Sequence, residues 1–501
     1  MRKVIGAAMA LGLLFGMAAA AETPVYDSYT YTYWGEPVEA PEGYRPAGVF
    51  RAENVGLKAF KEPKDLFVDS RNHLYIVDTG NNRIVELDED NRLVRELAEF
   101  KEGAKILTLS SPSGIFVKEN GNMLIADTNN KRIIEVDGEE RIVQEYRQPT
   151  TDVNFSGIDF LPVKVLADSR DFVYVLCKGL YQGAVSYNRE GEFLGYFGTN
   201  KVEVTLDVLV SQFWKSIMTQ EQIAKMEKTV PEEFTNFDID EKGFIYTCTE
   251  LSDSQSNQIK KINPSGTNVM QPNTMIKSAY QNRFGDLDIK YYQGEMIQSR
   301  FVDVAYYNDG VIGYVNCLDF TKGRIFQYTA ENSRLICIFG GTASQTGTFQ
   351  NAAALACRGE DILVLDSAKN NVTVFEPTDY LRSIHAALAR YEEGDYTGAM
   401  AGWRTVLARN SNLEMAYAGM GNVCYNQGDY VAAMRYFKRG YDKNGYAKAL
   451  KYYRKDLITR NFPLVLTVLV VGGGALAVFL NRKRLARLLH GKSGRKGGNR
   501  S

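Results

Sequence analysis

The sequence predicts a mainly β protein, in which a six-bladed β-propeller is followed by a small all-α module and a single transmembrane helix. Three observations predict this order. A strand-rich segment that begins at Pro63 recurs from Pro112. A different segment, which begins at Gly394, recurs from Gly428. A stretch of residues without any charged side chain follows near the C-terminus. Strand-containing repeats of about 40–50 residues are typical of propeller blades, whereas a period of about 34 residues is typical of paired helices.

Residues 1–21 have the composition of a secretory signal peptide. Two basic residues precede the apolar run Val4–Met17, and four alanines follow at 18–21. A basic start, a short apolar core and small residues at the exit define such a signal, so we place cleavage beside Ala21. The alternative is a first membrane-spanning helix, which the short run disfavours.

The propeller prediction starts from two copies of one segment. Each copy contains, in the same order, a strand that begins with proline, an apolar strand that ends in aspartate and a strand that contains Arg-Ile. The first copy comprises 63–69, 74–78 and 82–85, and the second comprises 112–117, 123–127 and 131–134. This pattern resembles the NHL-repeat family, and the resemblance implies an NHL-like β-propeller over about residues 50–376.

Four weaker copies follow and bring the number of predicted blades to six. They cover 162–187, 234–262, 300–328 and 351–375. The first of these copies has Cys177 where the strand-ending aspartate is expected. We expect Tyr26–Val38, which alternates aromatic residues and threonine, to supply the strand that closes the ring, because closure removes free sheet edges. The predicted propeller domain is 22–378.

Four charged residues, Asp78, Arg83, Asp127 and Arg132, recur at equivalent positions of the first two copies. A charge that appears once per blade is more simply explained by a bond that ties a turn than by catalysis. We therefore predict that these residues are structural.

One stretch, 199–231, loses the strand alternation and predicts a helical insert. Thr219 and Gln222 form a capping box that opens a short helix. Loops of this length are often functional. Two interpretations stay open, namely inert packing and a docking element that presents Phe213 and Trp214 to a partner protein.

Residues 379–460 predict a helical module, because Gly-Asp-Tyr at 394–396 reappears at 428–430. This spacing resembles that of tetratricopeptide repeats, whose paired helices pack small and aromatic residues at such offsets. Cys424 stands where that family has an aromatic residue. Two repeats form either a short peptide-binding groove or a rigid stalk.

The run Phe462–Leu480 contains no charged residue and is long enough to cross the hydrocarbon core as a helix. The tail, 481–501, has eight Lys or Arg and no acid, and the positive-inside rule places such a flank in the cytoplasm. Signal peptide and span together predict a single-pass type I cell-membrane protein with residues 22–461 outside the cytoplasm.

Composition excludes several functions. Residues 22–461 contain 49 bases against 60 acids, so they lack the basic footprint of a nucleic-acid-binding protein. The three histidines, His73, His385 and His490, are too few for the His and Cys set of a zinc site. No phosphate-binding loop or nucleophile elbow is present. We therefore predict no catalytic residue, no metal and no cofactor, although a calcium site made of Asp, Glu and Asn stays open.

Six cysteines lie in the predicted exported part without close pairing or metal-ligand spacing. Several fall on predicted strands. Buried thiols are favoured over structural disulfides, which remain the alternative.

The candidate ligand site is the mouth of the propeller, where the starts of the innermost strands converge. Aligning the blades on their turn aspartates places six charged or amide residues there: Lys64, Asp65, Lys164, Asn236, Arg300 and Asn351. The three bases in this set predict binding of an anionic small molecule or glycan. The alternative is that the bases pair with nearby acids such as Asp65 and Asp303.

These observations favour a membrane-anchored extracytoplasmic binding or scaffold protein that is not an enzyme. The arrangement resembles exported NHL-repeat proteins of Gram-positive bacteria, and that resemblance implies a membrane or extracytoplasmic protein partner, for example an ABC transporter. The alternative function is a propeller hydrolase or lyase, similar to a lactonase, that acts on an extracellular metabolite. A third is an assembly scaffold that binds only its neighbours in the membrane.

Overall fold

Six antiparallel sheets form the larger part of the molecule. The computed structural model describes residues 25–150, 159–198, 233–250, 257–287, 290–292 and 295–490. The predicted signal peptide, 1–21, and the predicted insert, 199–231, with Phe213 and Trp214, lie outside the described residues. The innermost strand of each sheet contacts those of its two neighbours, and the sixth contacts the first. The chain is therefore a mainly β, six-bladed propeller followed by a helical region, as the repeats predict.

The strands run outward from the propeller axis in chain order within each blade. The strands that precede the blades are β1 (Tyr29–Tyr31), β2 (Pro37–Glu39) and β3 (Tyr44–Phe50). Blade 1 contains β4 (Asp65–Val68), β5 (Leu74–Asp78), β6 (Arg83–Leu87) and β7 (Leu93–Leu97). A hairpin of β8 (Glu99–Glu102) and β9 (Lys105–Thr108) follows. Blade 2 contains β10 (Pro112–Val117), β11 (Met123–Asp127), β12 (Arg132–Val136) and β13 (Ile142–Tyr146).

The remaining blades repeat this order. Blade 3 contains β14 (Pro162–Ala167), β15 (Val173–Cys177), β16 (Ala184–Tyr187) and β17 (Phe193–Phe197). The described strands of blade 4 are β18 (Asn236–Ile239), β19 (Ile245–Cys248) and β20 (Ile259–Ile262). A hairpin of β21 (Lys290–Tyr292) and β22 (Glu295–Ile297) follows. Blade 5 contains β23 (Phe301–Asn308), β24 (Gly313–Asp319), β25 (Arg324–Thr329) and β26 (Leu335–Gly340). Blade 6 contains β27 (Ala352–Arg358), β28 (Asp361–Asp366), β29 (Asn371–Pro377) and β3.

The second strand of each early blade is buried on both faces, which explains its continuous apolar sequence. Leu74 and Ile76 of β5 pack in the core shared with blade 6, whereas Tyr75 and Val77 pack in the core shared with blade 2. Side chains alternate between the two faces of a strand, so one strand contributes to two cores. The hydrophobic core is therefore a series of layers between neighbouring blades.

The ring is closed by β3, not by the segment Tyr26–Val38 that the sequence predicted. β3 pairs with β29 from Phe50–Val372 to Tyr44–Pro377, and the side chain of Tyr44 is fully buried. Tyr26–Val38 instead contains the short β1–β2 hairpin. The tyrosine hydroxyls of β1 donate to the carboxylate of Asp286, outside the blades. The prediction was wrong because the alternating tyrosines of this segment do not pair with the edge of a blade. The hydroxyls of the β1 tyrosines instead share one buried carboxylate as their hydrogen-bond acceptor.

Asp78 and Asp127 have the structural role that their recurrence predicted. Asp78 accepts hydrogen bonds from the backbone N–H of Lys61 at 2.7 Å and from Nε of Arg83 at 2.7 Å. Asp127 makes the same pair of bonds with Ser110 N–H and Arg132. Each carboxylate therefore fixes the loop that leads into the innermost strand of its own blade.

Later blades keep this bond only in part. Asp319 accepts from the backbone N–H of Arg300, and Asp366 accepts from that of Gln350. Cys177 and Cys248 end the second strands of blades 3 and 4, opposite Pro162 and Asn236. All six cysteines lie among the described residues, and none forms a disulfide bond.

Five helices follow blade 6. They are α1 (Asp379–Glu392), α2 (Tyr396–Arg409), α3 (Glu414–Asn426), α4 (Tyr430–Arg439) and α5 (Lys443–His490). The sequence repeat is visible in the caps, because Asp395 accepts from Gly398 N–H before α2 just as Asp429 accepts from Ala432 N–H before α4. The chain divides into two compact units, 1–416 and 417–501.

Helix α5 is long and apolar enough to cross a membrane, and its apolar part is not buried against other described residues. The exposed large side chains include Phe462, Leu469 and Leu480. A soluble helix of this composition would be expected to bury one face in a core, so its exposure is consistent with a single membrane anchor.

Replacing Asp78 with alanine tests the structural role of the repeated aspartates. The change removes the carboxylate that pairs with the buried guanidinium of Arg83. We therefore expect the free energy of unfolding to fall by about 3–5 kcal/mol. The measurement is urea unfolding of the purified protein. A matched control is Asp90→Ala, which removes the exposed pair with Arg92 and should change stability by less than about 0.5 kcal/mol. Equal losses in the two variants would contradict the assignment.

Candidate functional site

A cavity of about 780 Å³ lies along the propeller axis and is lined by the innermost strands of all six blades. It extends to the turns that follow these strands, where Ser70 and Ser169 lie at its edge. Aromatic residues line its middle, including Phe67 and Phe116, whose ring centroids are 5.1 Å apart. The cavity therefore combines an apolar belt with polar ends, which is the usual composition of a small-molecule site.

A group of charges with little exposure lies at the beginning of the innermost strands. The ammonium of Lys164 in blade 3 contacts the carboxylate of Asp65 in blade 1 at 2.5 Å. The Asp65 side chain is 2% exposed and that of Lys164 is 12% exposed. Asp303 of blade 5 and Asp238 of blade 4 act electrostatically on the same ammonium. One cation thus faces three carboxylates around the axis.

Strand register brings these residues to one level. Asp65, Lys164 and Asp303 pair with the residue just before the end of the second strand in their blades, namely Val77, Leu176 and Leu318. The equivalent residue in blade 2 is Gly114, where a Cβ atom would lie only 2.6 Å from the backbone oxygen of Val163. Glycine at this position lets the innermost strand of blade 3, which carries Lys164, approach that of blade 2.

The three carboxylates also join neighbouring blades. Asp65 accepts from the N–H of Ile115 in blade 2 at 3.0 Å, and Asp303 accepts from the N–H of Leu355 in blade 6 at 2.7 Å. Asp238 accepts from the N–H of Tyr306 in blade 5 at 2.7 Å. Each bond links one innermost strand to the next, so the acidic residues at the axis stabilise the ring. Asp238 and Asp303 also line the cavity.

Burial dominates the protonation equilibria of this group. It raises the pKa of Asp303 to about 7, against the opposing effect of the Lys164 ammonium. It also raises the pKa of Asp238, although backbone hydrogen bonds from Tyr306 and Ile239 oppose the shift. Burial alone would lower the pKa of Lys164, but the carboxylates of Asp65, Asp303 and Asp238 raise it above its usual value. The lysine is therefore a cation at neutral pH, whereas Asp303 titrates near neutrality.

The structure brings only two of the six predicted site residues into direct contact, Asp65 and Lys164. Arg300 instead pairs with Glu250, and Asn351 donates from its amide to Ser367 Oγ at 2.6 Å.

The other two predicted residues make no charged contact at this level among the described residues. Asn236 accepts from the neighbouring backbone N–H of Phe237, and the side chain of Lys64 is exposed. Lys164 and Arg300 are each paired with a carboxylate. These two residues therefore do not supply the unpaired positive charge that the sequence predicted at the mouth.

Sequence alignment of the blades also missed two residues of the group, Asp238 and Asp303. In blade 4 it named Asn236, two residues before Asp238. It placed Arg300 at the axial level in blade 5, where the structure has Asp303. The strands β23 and β24 are longer than their counterparts in blade 1, so the stretch from Asp303 to Asp319 is longer than that from Asp65 to Asp78. Counting back from the aspartate that ends the second strand, with allowance for strand length, would have found Asp303.

Acids predominate among the charged residues that line the cavity. The bases are Lys118 and Lys164, and the acids are Glu119, Asp168, Asp171, Asp238, Asp240, Glu241 and Asp303. Lys118 is itself held by Glu135 at 2.9 Å and by Asp171 at 3.1 Å. Within the described residues, no group of three or more His, Cys, Asp or Glu is arranged to hold a metal ion.

The titration of Asp303 predicts a pH-dependent stability. An unfolded carboxyl loses its proton near pH 4, whereas Asp303 keeps it to about pH 7 when folded, so stability should fall as pH rises from about 4 to 7. The charged groups that act on Asp303 include Lys164 and Asp65. The thiols of Cys248, Cys317 and Cys357 also lie near it. Asp303→Asn should remove this part of the dependence, which calorimetric melting temperatures between pH 5 and 8 would show. Glu89→Gln, an exposed control, should leave the profile unchanged. An unaltered profile in Asp303→Asn would contradict the assignment.

Comparison with known proteins does not define a family. No protein-family model matches the chain, and no curated protein matches it. Virginiamycin B lyase from Staphylococcus aureus is similar at 12% identity and a TM-score of 0.40, over 66% of this chain and 99% of that one. A protein of unknown function from Bacteroides thetaiotaomicron is 13% identical, with a TM-score of 0.39, over 70% and 76%. Aldose sugar dehydrogenase from Streptomyces coelicolor is 11% identical, with a TM-score of 0.37, over 67% and 99%.

Proposed function

We propose that the protein is a membrane-anchored binding protein whose propeller takes a small polar molecule in its axial cavity. The observation that carries this proposal is the cavity of about 780 Å³, which the innermost strands of all six blades line. Its volume falls within the range of small-molecule sites. Polar turns at one end and the charges of Lys164, Asp238 and Asp303 at the other would orient a ligand that carries polar groups.

The charges of the cavity favour a neutral or cationic ligand over the anion expected from the sequence. Both lining bases are already paired with carboxylates, while acids such as Glu119 and Glu241 line the rim. An anion would lose its hydration without gaining a free cation, whereas hydroxyl or ammonium groups would find acceptors. The proposed ligand class is therefore polyols, amino sugars and other small amines.

Binding is favoured over catalysis by the bonds that the axial acids already make. A buried carboxyl with a pKa of about 7, such as Asp303, is a recognised sign of a catalytic group and supports the second candidate, a hydrolase or lyase. Both oxygens of Asp303 accept backbone N–H groups, however, from Val304 and Leu355. A carboxylate held in this way is poorly placed to exchange protons with a substrate, so we assign it to structure and ligand orientation.

Anchoring and export complete the proposal. The exposed apolar helix α5 supports a single membrane span at Phe462–Leu480, and the N-terminal segment supports export. In this arrangement the NHL-like propeller and the tetratricopeptide-like helices lie outside the cytoplasm, and the C-terminal tail lies inside.

Blocking the cavity edge tests the binding proposal. The full chain is screened by thermal shift against polyols, amino sugars, polyamines and acidic sugars, and a ligand so identified is titrated calorimetrically. Ser70→Trp with Ser169→Trp should weaken its binding at least tenfold, because both exposed serines line the cavity. The control Glu190→Trp lies in another turn and should bind normally. Equal affinity in the double variant, preference for acidic sugars or chemical conversion of the ligand would contradict the proposal.

Protease accessibility tests the membrane orientation. Protease added to intact cells should digest residues 22–461 and spare an epitope placed after Ser501, because the membrane shields the tail. Permeabilised cells serve as the control, in which the epitope should also be lost. A propeller that is protected in intact cells would contradict the predicted export.

A further inference from the structure

The segment of α5 that precedes the apolar run is strongly basic. Between residues 443 and 461 it contains one acid, Asp456, and six bases: Lys443, Lys448, Lys451, Arg454, Lys455 and Arg460. All six are exposed. The helix continues from these residues into the candidate span, and Pro463 lies inside the helix at the junction. The charges therefore come shortly before the apolar run on the same helix.

Three of these bases form one stripe on the helix. Successive residues of an α-helix are separated by about 100°, so Lys451, Arg454 and Lys455 fall within an arc of about 100°. We call these three residues the basic stripe. Ala449, which is fully buried, lies on a different side of the helix.

The distance from the stripe to the apolar run matches the depth of a lipid headgroup layer and its ionic atmosphere. At about 1.5 Å per residue, Lys455 lies about 10 Å and Lys451 about 16 Å before Phe462. Headgroups extend several ångströms beyond the hydrocarbon, and fields persist for about 8 Å more at physiological salt. Long Lys and Arg side chains shorten the gap further by extending toward the interface.

The stripe has no ion-pair partner in the part of the chain that the structure describes. Among the described residues, no carboxylate lies within ion-pair distance of Lys451, Arg454 or Lys455, whereas Arg460 pairs with Asp456 at 3.1 Å. Lys451 precedes Arg454 and Lys455 by about one helical turn, and like charges at this spacing destabilise a helix. Anionic groups outside the protein would remove this repulsion.

We propose that the basic stripe binds the headgroups of anionic phospholipids on the side of the membrane that faces the propeller. The inference rests on the proposed membrane anchoring and adds a lipid preference to it. Bases then flank the span on both sides.

The test compares lipid retention by the full chain. The protein is reconstituted into nanodiscs with equal amounts of phosphatidylcholine and phosphatidylglycerol, and native mass spectrometry counts the lipids that remain bound. We expect at least twofold enrichment of phosphatidylglycerol at low salt. Lys451→Gln with Arg454→Gln and Lys455→Gln should reduce that enrichment by half or more, and the basic tail accounts for the remainder.

A matched control removes three exposed propeller bases, through Lys105→Gln, Arg189→Gln and Lys242→Gln, and should retain the full enrichment. Equal retention in the wild type and the stripe variant would overturn the inference and leave an acidic protein surface as the alternative partner. Failure of the chain to insert into the discs would instead contradict the membrane anchoring, so the two failures are distinguishable.

Discussion

The propeller depends on the ladder between β3 and β29. Six residue pairs, from Phe50–Val372 to Tyr44–Pro377, join β3, which precedes blade 1 in the chain, to the last blade and close the six sheets into a ring. Each blade buries its faces only against its neighbours, so an open ring would leave two faces in water. The apolar cluster that contains Phe50, Leu74 and Leu363 forms only when the first and last blades meet.

Carboxylates stabilise the closed ring at two levels. One set ends the second strands and fixes the entry loops, as Asp78 and Asp127 do, while the other set at the axis links adjacent innermost strands. Two members of the axial set, Asp238 and Asp303, also line the cavity. The protein therefore uses these two residues for two purposes, and their hydrogen bonds to backbone N–H groups restrict the chemistry that the cavity can perform.

Sequence reasoning predicted the parts that repeat. The recurring strand pattern predicted six blades, and the recurrence of Asp78 with Arg83 predicted a structural bond, because both depend on local spacing. It was wrong about the closing strand, since the pairing of β3 depends on residues at the far end of the ring. It also placed Arg300 where Asp303 lies, because the longer β23 and β24 shift the register of blade 5 away from that of the earlier blades.

The axial charges show the same limit. The sequence contains Lys164 and Asp65, and pairing of the bases with acids was an open alternative, but their separation of 99 positions hid the particular contact. Which charges meet at the centre is decided by the rotation between blades. The excess of positive charge was predicted by taking the residues of each blade separately. The charge at the axis instead depends on which residues of different blades pair with one another.

The position of the closing strand has a consequence for the order of folding. Val49 and Thr373 pair although nearly the whole propeller separates them in the chain, so β3 is synthesised first and waits for its partner until the last blade is complete. Pairings so distant in sequence form slowly, and an unpaired strand can join the wrong edge meanwhile. β3 is an edge strand that contains Arg45 and Pro46, and a charge and a residue without an N–H both discourage misplaced pairing. The composition of β3 therefore limits misplaced pairing before the last blade is made, and it is compatible with an edge position in the closed ring.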